Sequence, residues 1–154
     1  MKKLKVLLQE IQGAIPFHAL QEDTVSAASV GWHLAHVLLV LQGILEALKK
    51  SDPAEYQWTF NWRRTVILTL QKIPRGKARA PKSAHPKTEI TEEGLRDQLA
   101  AVNQALQGFE ELTKHHFFVH PFFEKLNKPT TLLFLRIHTK HHLKIVQAIM
   151  QLRN

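Results

Sequence analysis

Residues 137–146 read IHTKHHLKIV, and this stretch near the end of the chain decides how the rest is interpreted. Apolar residues recur there every three or four positions, which predicts a helix with one face in a hydrophobic core. Two histidines, His138 and His142, interrupt that face. Because successive helical residues turn by about 100°, the two imidazoles lie one turn apart on the same side. The predicted core stripe is Leu135, His138, His142, Ile145 and Ile149.

A histidine pair at this spacing suits a divalent metal ion, which binds imidazole nitrogen at about 2.0–2.1 Å when the ion is zinc. The alternative is two core histidines hydrogen-bonded to their neighbours, which is the usual state of a single buried histidine. For a pair on a core stripe, with further histidines elsewhere in the chain, the metal interpretation takes precedence.

A third ligand is expected from residues 29–38, which read SVGWHLAHVL and lie on the second predicted helix. His36 lies on one apolar stripe of that helix, and His33 lies about 60° away on an equally apolar side. Helical periodicity does not choose between them, and three histidines plus solvent are favoured over four. His120, in a loop that reads HPFFEKL, is given a structural role, with the alternative that it lines a pocket. The stripe that includes His36 is Val25, Ala28, Trp32, His36, Leu39 and Gly43.

Helical spacing dominates the whole chain, and no stretch shows the period-two alternation of a strand. Asp23 or Thr24 is the predicted N-cap of the second helix. A basic loop at residues 73–89 and a segment rich in Phe and His at 115–128 are predicted to be irregular connections. The sequence therefore predicts a single all-α domain over residues 1–154, an antiparallel helical bundle. The five predicted helices cover approximately residues 2–12, 23–49, 53–72, 91–114 and 129–152.

Composition narrows the classes of function. Of the 154 residues, 44% are hydrophobic and 22% are charged, which is a normal globular balance. The chain has no cysteine, so disulfides, thiolate nucleophiles and sulfur-ligated zinc sites are excluded. The longest apolar run, residues 34–41, is far shorter than the roughly 20 residues of a membrane span, and the N-terminal stretch shows no signal-peptide cleavage site. We therefore expect a cytoplasmic protein without membrane association.

The net charge of +8 supports a second hypothesis, a binding module for nucleic acid or another polyanion. Against it, the tryptophans lie on predicted helices rather than on a stacking platform, and no helix-turn-helix pattern is visible. Nucleic acid is therefore not the expected partner. The basic residues that support this hypothesis are Arg75, Lys77, Arg79, Lys82 and Lys87.

Three segments, SVGWHLAHVL, HPFFEKL and IHTKHHLKIV, together resemble the DinB/YfiT-like superfamily. More narrowly, they are similar to a bacterial branch with an HPFFGKL-type segment followed by an HxxxHH helix; Glu124 stands where that branch has glycine. The resemblance covers nearly the whole chain. It implies a DinB-like four-helix bundle threaded up-up-down-down, here with a short extra N-terminal helix, and a homodimer. It also implies nickel or zinc, held by His36, His138 and His142, and so selects His36 over His33.

Members of that superfamily with known activity include transferases and isomerases that use low-molecular-weight thiols, and others are described as metal-dependent hydrolases. The resemblance thus implies a metal-dependent hydrolase or thiol transferase acting on a small molecule, with a thiol cofactor in the second case. Three neutral imidazoles leave open coordination positions on an ion, as in catalytic sites. No residue is identified as the general base, so the catalytic residues are unknown. A third hypothesis is an inert bundle whose metal is purely structural.

Overall fold

A computed structural model of the chain describes residues 1–74, 84–86 and 88–153. Two short 3-10 turns, Ile15–Phe17 and Pro53–Glu55, follow the first and second helices. The basic residues of the predicted loop, Arg75, Lys77, Arg79, Lys82 and Lys87, lie outside the described residues. The regular elements in chain order are α1 (Lys2–Ala14), α2 (Val30–Lys50), α3 (Trp62–Leu70), α4 (Glu92–Ala105), β1 (Phe117–His120), β2 (Glu124–Asn127) and α5 (Lys128–Arg153).

Four of the helices form a bundle. The principal neighbours of α2 are α4 and α5, and α1 packs against the same two helices. Consecutive helices, α1 and α2 or α4 and α5, therefore occupy opposite corners and are joined by long connections, as in an up-up-down-down bundle. The helices α2 and α5 run antiparallel, because His33 faces His142 while His36 faces His138. The predicted fold class, a helical bundle, is confirmed, with a small hairpin added. The short N-terminal helix, predicted as an extra element, is one of the four bundle helices, and α3 lies outside them.

The core lies between these four helices and is almost entirely apolar. The short N-terminal helix α1 contributes Leu4, Leu8, Ile11 and Ala14, which recur at helical spacing and are all buried. The other short helix, α3, has a single buried residue, Arg64, and contacts the bundle through α5. Fully burying one such leucine contributes about 1.5–3 kcal/mol, so α1 stabilises the core far more than α3 does. The buried leucines of α2 are Leu34, Leu38, Leu41, Leu45 and Leu48.

Helix α2 is apolar around most of its circumference. It is long and apolar enough to cross a membrane, with a mean hydropathy of 1.4 in an 18-residue window, but 61% of that window is buried inside the bundle. The predicted stripe on this helix is partly wrong, because Gly43 is exposed and Leu39 is only half-buried. The true core face is the row of leucines, which is rotated from the predicted one.

Two predicted helix starts are wrong, and the caps explain why. Helix α2 begins at Val30 rather than near Asp23, because the Ser29 side chain accepts a hydrogen bond from the backbone N–H of Trp32 and so caps the helix there. Helix α3 begins at Trp62 rather than near residue 53, and its cap is the side chain of Asn61.

Residues 115–128, predicted to be an irregular connection, contain an antiparallel hairpin. Helix α4, predicted to reach residue 114, ends at Ala105. Strands β1 and β2 pair with His120 opposite Glu124. The guanidinium of Arg64 donates to the backbone carbonyls of Phe123 and Lys125 and holds the hairpin against α3. Glu124 has a φ of 59°, a left-handed conformation that favours glycine.

Candidate metal centre

The three histidines predicted as ligands, His36, His138 and His142, come together where α2 packs against α5. One ring nitrogen from each lies within 4.8 Å of the other two, so the cluster could hold a metal ion. His36 is buried and the other two are half-buried. Within residues 1–74, 84–86 and 88–153 this is the one group of metal-ligand side chains that satisfies the spacing. Their role as ligands stays a prediction.

The imidazole of His36 is held in one orientation. Its Nδ1 lies 2.7 Å from the carbonyl oxygen of Ala84, and a carbonyl can only accept, so Nδ1 carries the proton and donates it. The other nitrogen, Nε2, therefore keeps a free lone pair. The indole of Trp32 stacks on the same ring with an interplanar angle of 8° and a centroid separation of 5.2 Å. Metal-ligating histidines are commonly fixed by a carbonyl in this way.

His36 Nε2 faces its counterpart on α5 at close range. The two Nε2 atoms of His36 and His138 lie 3.3 Å apart. Two nitrogens bound to one tetrahedral ion at roughly 2.0–2.1 Å would lie about 3.3 Å apart. An N–H···N hydrogen bond between the rings fits the same separation, so the pair can share either a proton or a cation. Nδ1 of His138 is buried without a hydrogen-bond partner, so one nitrogen of that ring is unsatisfied when only protein atoms surround it.

His142 is the third member of the cluster and contacts a fourth histidine, His33. The centroid of its ring lies 4.7 Å from those of His36 and His138. Its Nδ1 lies 3.0 Å from Nδ1 of His33, a buried residue whose Nε2 lies 3.0 Å from Oγ of Ser26. His33 is not part of the three-histidine cluster and instead lies behind His142. The sequence offered His33 and His36 as alternatives, and the structure brings both to α5 in different positions.

Burial keeps the cluster uncharged. It lowers the pKa of His138 to about 3, helped by the nearby positive charges that His36, His141 and His120 would carry. Burial also drives the pKa of His142 far below its ordinary value, with His138 and His36 adding to the effect. The pKa of His36 is lowered by burial, against the opposing effect of its hydrogen bond to Ala84. Neutral imidazoles offer the lone pairs that a cation requires, so at neutral pH the cluster is in its ligand form.

His120 stands beside the cluster at the end of β1. Its ring stacks on Phe123, with centroids 4.3 Å apart, and meets Phe134 edge-on at 4.8 Å; Phe134 in turn contacts His138. Nδ1 of His120 accepts from the backbone N–H groups of Phe122 and Phe123, so the proton is on Nε2. Because burial lowers its pKa to about 4, His120 is a neutral N–H donor at neutral pH.

Two contacts of this site had no signal in the sequence. The carbonyl of Ala84 fixes His36, and a backbone carbonyl has no residue-type signature. The hydroxyl of Ser26 meets His33 from seven residues away in the turn before α2. Glu46, on the same helix as His36, is exposed and accepts a hydrogen bond from Gln42. A general base is therefore still unassigned.

Comparison with known proteins identifies the family of this chain. No curated protein matches the chain, and no solved structure matches it. The family model described as the DinB superfamily matches residues 16–146, a range that contains all three clustered histidines. Since this match spans most of the sequence, the chain belongs to the DinB superfamily.

Proposed function

We propose that this protein is a metal-dependent enzyme whose divalent ion, nickel or zinc, is held by His36, His138 and His142. The observation that carries the proposal is the convergence of three neutral imidazoles on one point between α2 and α5. Imidazole nitrogen suits both metals. The fixed orientation of His36 and the 3.3 Å approach of its Nε2 to Nε2 of His138 support a site that is completed by an ion.

A divalent ion with three protein ligands supplies Lewis-acid chemistry, activating a water molecule or a thiol for attack. The residues of this chain orient the ligands and limit the access of water. The Ala84 carbonyl and the Trp32 ring hold His36 in place. Phe134 packs against His138 and would reduce the access of water to that side of the cluster, and the Nε2–H of His120 beside it would donate a hydrogen bond to a substrate.

The reaction is hydrolysis or transfer involving a low-molecular-weight thiol, on a small-molecule substrate. Because the chain has no cysteine, any thiol nucleophile comes from a second substrate and not from the protein. The cytoplasmic location, the homodimer and the lack of a membrane or nucleic-acid partner remain predictions from the sequence. The polyanion-binding alternative depends on basic loop residues outside the described part of the chain, so no contact in the structure favours it.

Elemental analysis of protein purified without a histidine tag tests the proposal. We expect about one nickel or zinc ion per chain, retained after gel filtration, and loss of that ion in His138→Ala. The matched control is His115→Ala, which removes an exposed histidine away from the cluster and should leave the metal content unchanged. Wild-type protein that stays metal-free after incubation with both metals, or equal loading of His138→Ala, would overturn it. Loaded protein assayed on ester substrates and on electrophiles, with and without a small thiol, separates the two reaction classes.

A further inference from the structure

A short hydrogen-bonded chain runs from the cluster into the turn before α2. Nδ1 of His142 lies 3.0 Å from Nδ1 of His33, and Nε2 of His33 lies 3.0 Å from Oγ of Ser26. The Ser26 hydroxyl oxygen also accepts from the backbone N–H of Ala28 at 3.1 Å. The backbone of Ser26 is itself fixed, because its N–H donates to the carbonyl of Glu22 and the two residues form an isolated bridge.

The protons in this chain can be arranged in two directions. In the first, Nδ1–H of His142 donates to Nδ1 of His33, and Nε2–H of His33 donates to Ser26 Oγ. In the second, the Ser26 hydroxyl donates to Nε2 of His33, and Nδ1–H of His33 donates to His142. A neutral imidazole has one protonated nitrogen and one lone pair, so each direction fixes the tautomer of both rings.

Only one direction suits a metal ligand. With Nδ1 of His142 engaged by His33, the nitrogen left for an ion is Nε2, which must then carry the lone pair. The first direction provides this, and the second places a proton on Nε2 of His142. Ser26 can serve as the final acceptor, because a hydroxyl oxygen has two lone pairs, one for Ala28 and one for His33.

The geometry points to His33 as a positioning residue: it accepts the Nδ1 proton of His142, with Ser26 behind it, and so sets the tautomer in which His142 binds the ion. This inference rests on the proposed function. His33 is then not itself a ligand, which is consistent with its absence from the three-histidine cluster. Binding of the ion selects the first direction, so the proton of His33 is on Nε2 in the loaded site.

The first test is zinc affinity, measured by competition with a chelating dye. Outer hydrogen-bond partners of ligating histidines typically change metal affinity by about 10–100-fold. We expect His33→Leu, which has similar bulk and no acceptor, to weaken binding by that factor. His33→Asn places an amide oxygen near the position of Nδ1, and we expect it to restore most of the affinity. His115→Leu is the control and should bind as wild type does.

A second measurement covers the case in which His33→Leu does not fold. Long-range ¹⁵N–¹H NMR correlations of zinc-loaded wild-type protein report histidine tautomers directly, and we expect the Nε2–H form of His33. In addition, Ser26→Ala removes the last acceptor, together with the acceptor for the Ala28 N–H, and should weaken zinc binding several-fold while the far-ultraviolet circular dichroism stays unchanged.

The outcomes separate this inference from the proposed function. Equal weakening in His33→Leu and His33→Asn would overturn it, and unchanged affinity in both would overturn it while the three-histidine site stands. A zinc-bound or Nδ1-protonated His33 in the NMR spectrum would likewise overturn it. Wild-type protein that binds no metal would overturn both proposals together.

Discussion

Nδ1 of His36 donates to the carbonyl oxygen of Ala84 across 2.7 Å, a contact that joins α2 to the segment just before α4. The same ring stacks on Trp32. The orientation of His36 is therefore set before any ion arrives. Such pre-orientation strengthens binding, because less side-chain freedom is lost when the complex forms.

Removing the stacked indole should loosen that orientation while sparing the ligand atoms. We expect Trp32→Leu to lower zinc affinity by up to about tenfold, the low end of the range for outer contacts, whereas His36→Leu should abolish specific binding. Dye competition measures both. As a control, Trp58→Leu alters an exposed tryptophan and should leave the affinity unchanged. Wild-type affinity in Trp32→Leu, or specific binding retained by His36→Leu, would contradict this prediction.

The unsatisfied Nδ1 of His138 predicts that this side chain lowers the stability of the metal-free protein. A buried polar group without a partner costs about 1–3 kcal/mol, and leucine at this position has no such group. In the presence of a chelator, His138→Leu should therefore be more stable than wild type by about that amount, as measured by urea denaturation. With saturating zinc the order should reverse, because the ion stabilises only wild type. Metal-free His138→Leu less stable than metal-free wild type would argue against this assignment.

Metal-free protein should lose stability as the pH falls below about 6.5. His138 has a pKa of about 3 in the folded protein against 6.5 as the ordinary value, so below pH 6.5 the unfolded chain binds a proton that the folded protein does not. Stability is then fully present above the unfolded pKa and declines as the pH drops toward the folded one, by up to about 1.4 kcal/mol per pH unit for each such histidine.

Urea denaturation in chelator between pH 7.5 and pH 4.5 would show this decline. His142 contributes in the same direction, since its pKa is also lowered by burial. The slope should therefore be shallower in the double variant His138→Leu/His142→Leu. An equal slope in wild type and double variant would show that the acid sensitivity arises elsewhere.

His120 lies beside the cluster and is not expected to bind the ion. Its Nδ1 accepts two backbone N–H groups, so this nitrogen is not available as a ligand. We expect His120→Asn to keep full metal content by elemental analysis, while His142→Asn loses the ion. Loss of metal in both variants to the same extent would instead make His120 a fourth ligand.

The left-handed backbone at Glu124, with a φ of 59°, predicts that glycine is the better residue there. A side chain at positive φ costs about 1 kcal/mol or somewhat more, and the contact between Glu124 and Thr59 is removed equally by glycine and by alanine. Glu124→Gly should therefore be about 1 kcal/mol more stable to urea than Glu124→Ala. Equal stability of the two variants would mean that the turn relaxes to another conformation.

The bundle and the α5 histidine pair could be predicted because both depend on local spacing. The period of apolar residues fixes which face of a helix is buried, and His138 and His142 occupy that face in any packing. The choice between His33 and His36 could not be made in this way. It depends on the Ala84 carbonyl and on the register of α2 against α5, and both are non-local contacts.

The start of α2 and the hairpin were not predicted because they too depend on contacts outside the helical spacing. Asp23, Thr24 and Ser29 are all good N-caps, and α2 begins at the last of them because residues 22–26 form a turn of their own. The hairpin has strands of four residues, too short for alternation to stand out among phenylalanines, and it is secured by Arg64 from α3.

X-ray absorption spectroscopy of the zinc-loaded protein tests the central claim most directly, because it reports the atoms bound to the ion. We expect three imidazole nitrogens at about 2.0–2.1 Å in wild type, and the loss of this spectrum in each of His36→Ala, His138→Ala and His142→Ala, because these variants no longer retain the ion. A zinc spectrum dominated by oxygen ligands, or one that none of these three substitutions changes, would contradict it.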